Sequence, residues 1–183
     1  MSRVEFGIYG GSFDPPHIAH ALAVNVALTG HGLERVVIVP TYQHAFSKKL
    51  ADFEDRLHMC ELAFMHLREV EICSIERELP PPSYTLHTLQ ALAARYPGVQ
   101  LRLLIGTDIL GETHAWHDFA GVSRLAPPLV IERQGYTPHD PDQPALPAVS
   151  SSEIRRRLQA GESTRGWLSP SVEQYIHAHG LYR

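Results

Sequence analysis

Short apolar runs alternate with amphipathic stretches along this 183-residue chain. Arg3–Tyr9, Arg35–Val39, Glu69–Ile75, Gln100–Ile105 and Leu129–Glu132 are brief and rich in Val, Ile and Leu. Near-continuous runs of that kind read as strands covered on both faces. His17–Leu28, Phe53–Leu67 and Tyr84–Arg95 read as helices. In the second, Leu57, Cys60, Leu62, Ala63 and Phe64 supply apolar faces, and the third ends near Pro97-Gly98. The alternation predicts an α/β fold with a doubly wound parallel sheet. In such sheets ligands bind beyond the carboxyl ends of the strands, near the switch in strand order.

From Gly135 the texture changes. Gly135–Pro147 holds four prolines and two aspartates and reads as an exposed loop. Ser150-Ser151-Ser152 before Glu153 and Ile154 mark a helix start, and Gly161 its stop. Ser169-Pro170 opens a last short helix to about His179. Without a repeat or a compositional boundary, the chain reads as a single domain over residues 1–183.

Composition narrows the function classes. The chain is 44% hydrophobic and 20% charged, with a formal charge of −4. That balance argues against a non-specific nucleic-acid binder, so any phosphate binding must be local. No apolar run reaches the ~18 residues of a membrane span, and no basic-then-apolar leader opens the chain, so a cytoplasmic protein is expected. Cys60 and Cys73 lie in apolar surroundings and read as buried free thiols. The twelve histidines include the close pairs His17/His20, His114/His117 and His177/His179. None has a Cys pair at zinc-finger spacing, so no structural metal is expected.

The candidate chemistry concentrates in Gly10-Gly11-Ser12-Phe13-Asp14-Pro15-Pro16-His17-Ile18-Ala19-His20. A strand feeds a glycine turn, which feeds the mouth of a helix carrying two histidines. Glycines let backbone N–H groups approach an anion, and a helix N-terminus adds unpaired amides and partial positive charge. His17 and His20 are three apart, so on a helix both imidazoles face the same polyphosphate. Ser150–Arg155 offers either a second anion site or a capped helix with a solvated basic face.

Ser12–His20 resembles the signature of the HxGH nucleotidyltransferases, with Ala19 where the family has glycine. The chain is most similar to their nicotinate (or nicotinamide) mononucleotide adenylyltransferases. Val149–Arg155 resembles the family's Ile-Ser-Ser-Thr-x-Ile-Arg segment, which implies that Ser150, Ser151 and Arg155 grip the ATP triphosphate. Leu104–Leu110 followed by Trp116 resembles a block that implies a ribose contact for Asp108, beside Gly106, and a nicotinate ring packed on Trp116. Trp116 as a core aromatic is the other reading.

Ser83-Tyr84-Thr85 resembles a segment beside the base pocket, although Ser83 also reads as a helix cap. The loop Gln43–Lys49 implies a phosphate cation, for which Lys48 is the choice over Lys49. Arg133 matches an Arg-x-Gly position, with either an adenine- or phosphate-side role or solvent exposure. Arg56 reads as a surface residue. Asp14 either contributes from an outer shell or only shapes the turn.

The resemblance implies a Rossmann-like nucleotidyltransferase fold with short C-terminal helices. It also implies adenylyl transfer from ATP to nicotinate mononucleotide, giving deamido-NAD and pyrophosphate. His17 and His20 would be catalytic, Gly10, Gly11, Ser12 and Phe13 would line the phosphates, and Mg²⁺ would enter on the ATP. Nicotinamide mononucleotide or pantetheine phosphate stand as alternative acceptors. A cytidylyltransferase and a non-catalytic nucleotide sensor are further alternatives.

Overall fold

The computed structural model describes residues 4–43 and 49–183. Lys48 lies outside the described residues. The chain runs β1 (Glu5–Gly11), α1 (Ile18–Gly30), β2 (Arg35–Pro40), α2 (Phe53–Phe64), β3 (Val70–Ile72), α3 (Thr85–Arg95), β4 (Gln100–Gly106), α4 (Thr107–Leu110), α5 (Phe119–Leu125), β5 (Pro128–Ile131), α6 (Ser151–Gln159) and α7 (Pro170–His179). The five strands form one parallel sheet in the order β3-β2-β1-β4-β5. This is the doubly wound arrangement. Its order reverses between β1 and β4, which open the crevice where ligands bind in such sheets.

Successive residues of one strand serve opposite layers. Val36 and Ile38 pack with Ala23, Val24 and Ala27 of α1 and Cys60 and Phe64 of α2. Val37 and Val39 face Leu89 and Leu92 of α3 and Val122 of α5. A smaller cluster joins Ala19, Met59, Ile154, Val172 and Ile176. It docks α6 and α7 beside the start of α1, and therefore beside the β1–α1 loop. Cys60 and Cys73 are buried and unpaired.

Several boundaries differ from the sequence expectations. β1 runs on through Gly10 and Gly11, in register with Val39 and Pro40. The turn comes after the glycines, with Phe13 at φ 46°. β3 shrinks to Val70–Ile72 because it is an edge strand with β2 as its neighbour in the sheet. The chain then enters a 3₁₀ turn, Ile75–Glu78. α4 and α5 had no counterpart in the periodicity. α5 is only seven residues long, and its start is fixed by the Asp118 carboxylate accepting from Gly121 N–H at 2.9 Å.

Candidate active site

A cavity of about 610 Å³ opens over the carboxyl ends of β1 and β4. Its size suits a small-molecule ligand. Tyr9, Gly10, Gly11, Ser12, Phe13, His17 and His20 line one part of it. Ser83, Tyr84, Thr85, Gly106, Asp108, Trp116 and Arg133 line the rest. Most residues singled out in the sequence therefore share one enclosure, although they come from five segments.

The two glycines act by leaving room. A Cβ on Gly10 would meet nothing within 4 Å, so it would project into the cavity where a ligand must pass. Gly11 lies under the Phe13 ring, 3.3 Å from where its Cβ would be. Neither has a positive φ; Phe13 makes the tight turn instead.

His17 is the N-cap of α1 rather than its first residue. Its backbone N–H donates to His20 Nδ1 at 3.1 Å. That bond needs Nδ1 without a proton, so the neutral His20 carries its proton on Nε2, as a donor. The rings stack at 3.7 Å, with Phe13 and Tyr9 edge-on to His20. Burial, helped by the Arg133 charge, pushes His17 down to about 3. Burial, then His17, then Arg133 hold His20 well below its usual value. Both rings are neutral at pH 7. His17 Nδ1 is buried without a partner among the described residues. It is a buried polar atom next to a void, as expected where a ligand completes the hydrogen bonding.

Across the cavity floor Arg133 donates to Asp108 Oδ2 at 2.6 Å and to the Val149 carbonyl at 2.7 Å. Solvent exposure, one of the two readings of Arg133, is thus excluded: this guanidinium ties β5, α4 and the approach to α6 together. Gly106 is needed here, because a Cβ would collide with the Asp108 carboxylate. Asp108 Oδ1 and Arg133 Nε are buried and unpartnered among the described residues. Asp108 therefore keeps one acceptor for a ligand hydroxyl.

At the other end of the cavity, Ser83 does not cap α3. Its hydroxyl accepts from Gln43 N–H at 3.2 Å, and the N-cap position falls to Tyr84, which offers no side-chain cap. The first amides of an eleven-residue helix are left without a side-chain acceptor beside the cavity. Tyr84 stacks on His117 at 4.7 Å, and Trp116 meets Phe119 edge-on at 5.8 Å. Trp116 packs on the core and lines the cavity as well.

Ser150, Ser151 and Arg155 stand apart from the cavity wall, against the outer side of the β1–α1 loop. Ser150 caps α6 by accepting from Glu153 N–H at 3.2 Å, and Ser151 donates to the Pro15 carbonyl at 2.9 Å. Arg155 donates to the Asp14 carbonyl at 2.6 Å. The capped-helix reading therefore holds for Ser150, whose own O–H stays available. Ala19, in place of the family glycine, sends its methyl into the cluster with Met59 and Ile154.

Several supports of the site carry no mark in the sequence, and one, Arg56, lies elsewhere than its sequence position suggests. Arg56, expected at the surface, is 1% exposed. It donates to the carbonyls of Ala51, Ser12 and Thr41 at 2.8 to 2.9 Å. A signal existed: a cation in the first turns of a helix opposes the helix dipole and needs another reason to be there. Glu76 accepts from Tyr42 N–H and the Thr88 hydroxyl, and Tyr9 lines the cavity. Neither has a readable local pattern.

Fold and cavity together are those of a doubly wound α/β protein with a ligand-sized cleft at the switch point of its parallel sheet. Residues 8–157 match the cytidylyltransferase-like family model. A protein of Anaeromyxobacter sp. (strain K) named "Probable nicotinate-nucleotide adenylyltransferase" is 46% identical over 182 residues, covering 98% of this chain and 97% of that protein. One of the same name from Thermus thermophilus is 33% identical, covering 98% and 100%. The Plasmodium falciparum nicotinic acid mononucleotide adenylyltransferase complexed with NaAD superposes with a TM-score of 0.82 at 19% identity, covering 98% and 97%. The chain belongs to the cytidylyltransferase-like nucleotidyltransferases and, within them, to the nicotinate-nucleotide adenylyltransferase family.

Proposed function

We propose that the chain transfers the adenylyl group of ATP to nicotinate mononucleotide, giving deamido-NAD and pyrophosphate. The observation that carries this reading is one cavity holding both a histidine-lined phosphate turn and an uncapped helix start beside an indole face. The similarity to enzymes named for this substrate supports it.

The acceptor's 5′-phosphate oxygen attacks the α-phosphorus of ATP. The new P–O bond forms in line with the bond to the leaving pyrophosphate, which departs with its electron pair. The attacking oxygen is already anionic, so no protein base is needed and catalysis is positioning and charge stabilisation. His20 donates from Nε2 to a phosphate oxygen, with His17 beside it. Gly10 to Phe13 give the phosphates room, Arg155 adds charge at their outer end, and the resemblance makes Lys48 a further phosphate cation. Ser150 and Ser151 hold the α6 terminus that presents Arg155. Asp108 accepts from a ribose hydroxyl, with Arg133 fixing its rotamer, and Trp116 packs on the pyridine.

Mg²⁺ fits this set poorly as a protein-held ion: no group of three or more His, Cys, Asp or Glu among the described residues is arranged for a metal. Mg²⁺ would enter as a companion of the triphosphate, bound through its phosphates, and would supply charge neutralisation there. The substrates are free nucleotides rather than nucleic acid. No helix among the described residues is long and apolar enough to cross a membrane, and we place the enzyme in the cytoplasm.

The carboxylate of nicotinate is read by the amides at the start of α3. An amide substituent would turn N–H₂ donors toward those N–H groups. Such mismatches discriminate by about 1 to 3 kcal/mol, or roughly five- to 150-fold. Pyrophosphate release with each mononucleotide tests the reading. Turnover with nicotinate mononucleotide at the higher kcat/KM is expected. A ratio near one, or one favouring the amide, shows that the pocket does not read the carboxylate.

A further inference from the structure

Asp14 sits where three segments distant in sequence cross, and it is 2% exposed. Its Oδ1 accepts from Ala51 N–H at 3.2 Å and from the Tyr182 hydroxyl at 2.6 Å. Its Oδ2 faces the Arg155 guanidinium at 3.5 Å. Arg155 at the same time donates to the Asp14 carbonyl. Arg56 holds the neighbouring Ser12 carbonyl. The carboxylate thus lies between two arginines of which one, Arg155, is partly open to solvent.

Tyr182 arrives there by a specific path. α7 ends at Gly180, whose φ of 64° is left-handed. Leu181 N–H then closes on the Ile176 carbonyl at 3.1 Å. The chain turns back, and Leu181 and Tyr182 pack on the cluster that docks α6 and α7 against α1. Tyr182 itself has φ 61°, and Phe13, next to Asp14, has φ 46°. Non-glycine residues in this region are strained and persist only where their surroundings hold them. Two such residues therefore meet through Asp14, at the loop that lines the phosphate end of the cavity. Burial, then the bond to Asp14, push the Tyr182 hydroxyl far up, so it stays a donor at any working pH.

We propose that Tyr182 is a positioning residue for the phosphate end of the site: its hydroxyl satisfies the Asp14 carboxylate, so that Arg155, held to the Asp14 carbonyl and the Ser152 hydroxyl, keeps its remaining N–H donors for a nucleotide phosphate. The proposal rests on the adenylyl-transfer reading. A buried carboxylate requires donors. Remove the hydroxyl, and Asp14 has one backbone N–H left on Oδ1. Arg155 is the nearest movable cation, already 3.5 Å from Oδ2. It closes on the carboxylate and is withdrawn from the ligand. Tyr182 touches no substrate in this scheme; it sets the charge that Asp14 offers to Arg155.

Tyr182→Phe keeps the ring and deletes the hydroxyl. The measurements are KM for each substrate, binding of a non-hydrolysable ATP analogue by calorimetry, and the unfolding temperature. Loss of one hydrogen bond to a charged group should raise the ATP KM and the analogue Kd about five- to twentyfold. The mononucleotide KM and the unfolding temperature should hardly move. In an Asp14→Asn background no charge draws Arg155, so Tyr182→Phe should add less than about twofold there. Unchanged ATP binding overturns the proposal. So does a rise in both KM values together with a lowered unfolding temperature, which is what a packing role alone gives. If the wild type fails to turn over, the adenylyl-transfer reading falls, while the analogue Kd of Tyr182→Phe still decides the role of Tyr182.

Discussion

The two ends of the cavity are built differently. At the end proposed for the phosphates, the β1–α1 loop is held from behind by Arg56 on Ser12, Arg155 on Asp14, Ser151 on Pro15 and Tyr182 on Asp14. At the end proposed for the pyridine, the walls are a 3₁₀ turn at Thr113–Ala115, a seven-residue helix and aromatic rings, Tyr84 stacked on His117 and Trp116 edge-on to Phe119. One end is fixed by hydrogen bonds at definite lengths, most of them charge-assisted, the other by aromatic packing that tolerates small shifts. The division suits the reaction. In-line attack on phosphorus tolerates little misplacement. Choosing between two planar pyridines needs only a few kcal/mol.

The largest effect should come from breaking the support of the phosphate end. Arg56→Met fills the same space but strands three carbonyls and leaves the buried Asp14 without a cation behind it. A destabilisation of about 3 to 5 kcal/mol is expected. Chemical denaturation checks it; a loss under about 1 kcal/mol would mean that water or Arg155 replaces the guanidinium.

Next is His20→Ala, which removes the donor rather than its support. Loss of one transition-state contact to phosphate should lower kcat by about 3 to 4 kcal/mol, or roughly a hundred- to a thousandfold. The circular dichroism spectrum should be unchanged. Near-normal kcat in the folded variant would remove His20 from the chemistry and leave its ring as packing for Phe13.

The same contrast explains what the sequence showed and what it hid. Gly10–His20 was legible because its parts are adjacent: strand, small residues, helix mouth and two histidines within eleven positions. The α/β class followed from apolar runs that bury both faces of interior strands. Arg56, Glu76 and Tyr182 were not legible as parts of the site. Their partners lie 44, 34 and 168 residues away, and only Arg56 carries a local mark, a cation in the first turns of a helix. The short helices α4 and α5 were missed because four to seven residues are too few to show a period. Ser83 looked like a cap because serine before a helix usually is one; a tertiary bond to Gln43 took its hydroxyl instead. Arg133 was readable as a candidate but not as a partner of Asp108, because their elements meet only when β4 pairs with β5.

At the pyridine end, Trp116→Ala should lower kcat/KM for the mononucleotide by about 2 to 3 kcal/mol, roughly thirty- to a hundredfold. The ATP KM should stay within about twofold, since packing at this end is separate from the phosphate supports. Equal losses for both substrates would show that the two ends are not independent.

The smallest effect is set by pH, and it belongs to the phosphate end. His17 is neutral in the folded protein because burial pushes it down to about 3, against an ordinary value of 6.5. The unfolded chain takes up that proton as pH falls through 6.5, while the folded chain refuses it until near 3. The unfolded state then binds more protons, so stability is full above 6.5 and declines as pH drops through that window. From about pH 7 to about pH 5 the loss for one such histidine is about 1 to 2 kcal/mol. His17→Gln keeps a polar cap of similar reach that cannot take a proton. Denaturation midpoints of wild type and His17→Gln, compared from about pH 7.5 to about pH 4.5, should converge as the pH falls. If the two curves stay parallel, His17 takes its proton as readily folded as unfolded, and the phosphate end holds a charged pair rather than the neutral donors that its stacked, buried rings describe.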